Sequence, residues 1–164
     1  MRRAASWLAG GLAGSVLALA PSPAPAPTTT GTLSVSAVVQ SSCSLTGGTM
    51  GFGTYTSGQT SNLDVDGQLT FANCPTGNLV FELDGGGTGS TSARKMTAGS
   101  SSLNYQLYRN ASRSSVFGTG SSAHTEIRLV AGGGNIPVYG RIPANQTVPA
   151  GNYADTVNVT LTFP

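Results

Sequence analysis

The chain has 164 residues, enough for one domain, with 23 glycines and only 9% charged residues. Its formal charge of +2 includes Arg2 and Arg3; without them six basic side chains face six acids, every acid after residue 60. With no basic run, nucleic acid and anionic membrane surfaces are poor candidates as partners.

Residues 1–20, MRRAASWLAGGLAGSVLALA, place two arginines before an uncharged apolar run and then small residues. This is the layout of a secretory signal peptide, and the run is short for an uncleaved anchor. Ala20, Ala24 and Ala26 each precede proline, so cleavage is expected near Ala18, with Ala20 as the alternative. Residues 21–31 read as a stiff Ala/Pro/Thr-rich spacer. The domain then spans 32–164.

In TLSVSAVVQ (32–40), Leu33, Val35, Ala37 and Val39 share one parity, which predicts a strand. Cys43 and Cys74 are an even pair in an exported chain, which reads as one disulfide. In NLDVDGQLTF, Asp66-Gly67 between alternating runs predicts a hairpin. Leu79, Phe81 and Leu83 mark another strand, as do Leu103, Tyr105 and Leu107. EIRLVAGGG is expected to turn Ile127, Leu129 and Ala131 to one face, with both triple glycines (85–87 and 132–134) forming turns. Ile136, Val138, Gly140 and Ile142 stay in phase. In YADTVNVTLTFP (153–164), Tyr153, Val157, Val159, Leu161 and Phe163 alternate with polar residues, and Asp155 is the only charge on the apolar parity. Short strands, Gly/Ser-rich connections and no helical period predict an all-β sandwich.

Catalytic signals are weak. Asp64 with Asp66, and Glu82 with Asp84, share a strand face in pairs, but alternation with apolar neighbours explains them as solvent-facing acids. His124 is the only histidine and reads as a solvated loop residue. No nucleophile–base pair, cofactor motif or metal-ligand spacing stands out, so the chain is expected to be non-enzymatic, with no cofactor or small-molecule substrate.

A long apolar strand at a chain end is a hazard unless something covers its edge. Two readings follow. Another copy supplies a strand by β-strand addition, with the 32–40 segment as donor. Or 32–40 joins its own sheet and the sandwich is complete.

Residues 31–164 resemble the spore coat protein U domain family, which includes subunits of archaic chaperone–usher pili. The resemblance is carried by SSCSL, FGTY (52–55), FANCPTGN around Cys74, LDGGG (83–87), RKM (94–96), LNYQLYRN (103–110) and, most of all, YGRIPANQTVPAGNYADTVNVTLTF (139–163). Phe117 stands where many relatives carry tryptophan. The resemblance implies an immunoglobulin-like sandwich lacking its final strand, filled transiently by a periplasmic chaperone. At an outer-membrane usher, the N-terminal extension of a neighbouring subunit replaces the chaperone. Leu33, Val35, Ala37 and Val39 would be donor side chains, and Val157, Val159, Leu161 and Phe163 would line the acceptor groove. Tyr139, Gly140, Arg141, Pro143 and Asp155 would be structural, with Arg141 and Asp155 pairing or capping at strand ends. The expected product is a head-to-tail surface pilus serving adhesion or biofilm formation. The competing function is a complete secreted module that holds carbohydrate or belongs to a spore or surface coat.

Overall fold

The computed structural model describes residues 27–164, so the predicted leader and most of the proline spacer lie outside it. Residues up to Ala37 form one unit and Val38–Pro164 another. In the first, the described residues carry no helix or strand, and Leu33 and Val35 are exposed. The strand expected over 32–40 is therefore absent. Alternation specifies a face, but a strand exists only where a neighbour accepts its ladder bonds.

The second unit is almost wholly β. Its strands are β1 (Ser44–Thr46), β2 (Leu63–Cys74), β3 (Gly77–Leu83), β4 (Lys95–Ala98) and β5 (Ser101–Asn104), followed by β6 (Gln106–Tyr108), β7 (His124–Arg128), β8 (Gly132–Ile142) and β9 (Val159–Thr162). One sheet runs β1-β2-β8-β6, a second β7-β3-β9, and β4-β5 form a small third. All pairings are antiparallel. The two larger sheets meet through their apolar faces, with Phe71 of β2 5.3 Å from Phe81 of β3 between ring centroids. Leu69, Leu79, Leu83, Ile136, Val138 and Ile142 complete much of the core. Cys43 and Cys74 form the expected disulfide, tying the residue before β1 to the end of β2.

Three local expectations change. The Asp66-Gly67 hairpin does not form; β2 runs straight through it, because Leu63, Val65, Gly67, Leu69 and Phe71 keep one parity. Gly67 instead makes room for Met50, whose methyl carbon lies 2.9 Å from where a Cβ would stand. The second triple glycine is not a turn but the start of β8, pairing with β2 at Gly134↔Phe71. A Cβ on Gly134 would lie 2.8 Å from the Phe71 ring. Glycine serves turns and close approaches alike, so the letters alone mislead. Finally, β7 has the opposite parity to that expected. His124, Glu126 and Arg128 turn inward while Ile127 is exposed.

Candidate functional site

The last segment of the chain builds one wall of an open groove. Asp84 N–H donates to Asn158 O at 3.0 Å, and the register continues as Glu82↔Thr160 and Val80↔Thr162. In an antiparallel ladder these alternate residues direct both main-chain groups at the partner strand. Val157, Val159 and Leu161 therefore turn their N–H and C=O groups the other way. On that side β9 has no ladder partner among the described residues.

Across from this edge runs Gly47–Phe52, which lies in no strand. Between the two walls is a hollow of about 330 Å³, floored by Leu69, Leu83, Leu107 and Val138. A second hollow of about 510 Å³ continues it past Met50, Phe52, Met96 and Tyr153 toward Leu103 and Ile142. The result is a long apolar groove with an unsatisfied main-chain edge.

Val157 and Val159 line the first hollow, while Leu161 sits half-buried opposite Phe81 and Phe163 is exposed at the end of the strand. Of the predicted donor side chains, Leu33, Val35 and Val39 are exposed apolar groups outside any strand.

The polar residues of the best-matched motif brace the walls. Arg141 grips Asp64 with two parallel bonds of 2.7 Å, from Nε and from Nη2, across the β2–β8 pair. This hydrogen bond, with the charges of Arg113 and Arg141, holds the Asp64 carboxyl below its ordinary range, against the opposing effect of burial. Arg113 also pairs with Asp66, so both acids of this couple are engaged in ion pairs. Tyr139 lies under Arg113, whose guanidinium is 5.7 Å from the ring. Gly140 leaves room for Met50 and Phe52, and Pro143 O accepts from Tyr55 Oη at 3.1 Å.

Asp155 closes the opposite wall. Its Oδ2 accepts from Tyr105 Oη at 2.6 Å and its Oδ1 from Gly87 N–H at 2.8 Å. Burial first, and then this carboxylate, push the Tyr105 phenol well above its ordinary value. Asp84 accepts from Gly86 N–H, and from both the backbone and the side-chain amide of Asn158. The Gly86 bond is the main reason its carboxyl sits below the usual range.

Two residues escaped the sequence reading. Arg94 is fully buried, and its guanidinium donates to the carbonyls of Leu83, Asp84, Thr91 and Phe117 and to Gln106 Oε1. Burial lowers its pKa, partly offset by the Tyr105, Asp84 and Asp155 groups. His124 opens β7 rather than a solvated loop, and its ring lies between Phe81 and Phe117. RKM was visible only as a motif, and a lone histidine gave no sign of aromatic neighbours.

Comparisons with known proteins agree with this architecture. The Spore Coat Protein U domain model matches residues 29–160. "Protein U" of Myxococcus xanthus is 36% identical, with 80% of this chain and 83% of that one aligned. Among solved structures, a chain of the CsuC–CsuE chaperone–tip adhesion subunit complex from archaic chaperone–usher Csu pili of Acinetobacter baumannii aligns with TM-score 0.55 and 22% identity. That alignment covers 74% of this chain but 39% of the other, and the likeness is one of fold. A chain from a chaperone–usher pilus structure gives TM-score 0.49 and 17% identity, over 86% of this chain and all of that one. The fold is immunoglobulin-like and all-β, and the chain belongs to the spore coat protein U domain family.

Proposed function

We propose that this protein is a structural, non-enzymatic subunit of an extracellular pilus, assembled by donor-strand exchange. The carrying observation is the unpaired edge of β9 above an apolar groove. A strand laid there would bond to the main chain of Val157, Val159 and Leu161 and set alternate side chains onto the floor. The segment 32–40 has a matching alternation, with Leu33, Val35, Ala37 and Val39 on one parity. Burying these four side chains would contribute on the order of several kcal/mol at about 25 cal/mol per Å², before ordering costs.

In this reading the donor comes from a neighbouring subunit, and a periplasmic chaperone fills the groove until an outer-membrane usher exchanges it. The product is a cell-surface fibre supporting adhesion or biofilm formation. Each subunit offers a donor and an acceptor on different surfaces, so the contact is head-to-tail and the polymer open.

The test is the assembly state of mature protein, co-expressed with its chaperone and then released from it. Wild type is expected to give an SDS-resistant ladder and fibres, and Val35→Arg with Val39→Arg to give neither. A monodisperse monomer in both samples would mean that the groove takes no strand from another copy.

A further inference from the structure

At the end of β7 the usual placement of charge and apolar groups is inverted. Arg128 folds inward, with its guanidinium 5.4 Å from the centre of the Phe71 ring and Nη2 donating to Gly133 O at 3.0 Å. Its neighbours turn outward: Ile127 is 67% exposed, Leu129 87% and Val130 73%. Among the described residues, the other large apolar side chains this exposed all precede Cys43: Leu33, Val35, Val38 and Val39. Scattered apolar residues on a surface need no explanation, but three on one short stretch beside an inward-folded, half-buried arginine form a patch.

The patch lies beside the root of the N-terminal extension. Ser42, Cys74, Ala131 and Gly132 share one hollow, and the disulfide pins Cys43 to the end of β2. We infer that Ile127, Leu129 and Val130 dock against a second copy of this chain, the same copy whose groove receives this chain's extension. This rests on the donor-strand reading above.

The reason is reach. Only Ser41 and Ser42 separate the donor segment from Cys43. Three backbone steps span at most about 10 Å. A subunit whose groove holds residues 32–40 must therefore stand with its groove mouth close against this end of the donor subunit. Because the two are already tethered, burying the patch needs little further loss of freedom. A donor strand alone would leave a short flexible joint; a second contact makes the joint stiff.

The test uses full-length protein with Leu129→Ser and Val130→Ser, assembled beside wild type. Both positions are exposed, so the fold keeps its core. The SDS-resistant ladder should persist, while the persistence length of fibres in electron micrographs falls at least three-fold. Unchanged stiffness beside an intact ladder overturns the docking surface and leaves donor-strand exchange standing, even if adhesion to an apolar surface drops. Loss of the ladder in this variant also overturns it, because the contact is secondary to the donor strand. No ladder in wild type removes the donor-strand reading and this inference together.

Discussion

Arg94 spends its charge on carbonyl groups rather than on a carboxylate. Its guanidinium ties the end of β3, at Leu83 and Asp84, to Phe117 and to Gln106 at the start of β6. Replacing it with alanine leaves several buried acceptors without donors, and breaking such a network costs roughly 3–5 kcal/mol. The expected result for Arg94→Ala is a large fall in the urea midpoint, with Arg94→Lys only partly restoring it because an ammonium cannot fork between these acceptors. A variant as stable as wild type would show the network to be dispensable. Asp84 gives a pH prediction. Its folded-state carboxyl lies below the ordinary value of 3.8, so its contribution is present above that value and is lost as pH falls through the folded pKa. Asp84→Asn should therefore weaken the protein at neutral pH and flatten its acid unfolding below about pH 4, as followed by circular dichroism. Neither role could be read from the sequence. Acids alternating with apolar residues do look solvent-facing, and only tertiary contact brings Asn158 and the Gly86 amide to Asp84.

At the scale of elements, periodicity located the inward faces of β2, β3, β8 and the closing strand, because sheet burial has period two and their side chains follow it. It failed at β7, where the inward face holds His124, Glu126 and Arg128. There the alternating apolar residues mark an outer surface, which a rule that equates apolar with buried cannot anticipate. Glycine was the other blind spot. Gly140 lies in β8 because the groove wall crosses it: a Cβ would stand 2.5 Å from Met50 Sδ and 2.7 Å from the Phe52 ring. The methionine can move aside but the ring is less free. Gly140→Ala is expected to cost about 1–3 kcal/mol through overpacking. Since Met50 and Phe52 also line the groove, its ladder yield should fall alongside its urea midpoint. Reduced stability with full assembly would separate this wall from strand capture. The disulfide ties the residue before β1 to the end of β2, and Cys43→Ser with Cys74→Ser should lower stability by about 3–4 kcal/mol in the chain-entropy model.

For the whole molecule, the two halves of the proposed contact lie on different parts of one chain, so they can be disabled independently. Val35→Arg with Val39→Arg removes the donor and leaves the groove. Val157→Arg places a long charged side chain in the groove wall and leaves the extension untouched. Burying that charge without a partner is strongly unfavourable, so the groove should refuse a strand. Each variant alone is expected to give no ladder. Mixed, the donor-dead chain still has a groove and the groove-dead chain still has a donor, so exactly one productive junction is possible. An SDS-resistant heterodimer should form and stop there, because its free ends are a dead groove and a dead donor. This outcome is particular to a polar, head-to-tail contact. An isologous contact uses the same patch twice, so it would not let two defective partners restore one full-strength junction. Growth beyond the dimer would show that strands enter by a route other than the β9 edge. No dimer at all, with both variants folded, would deny residues 32–40 their role as donor.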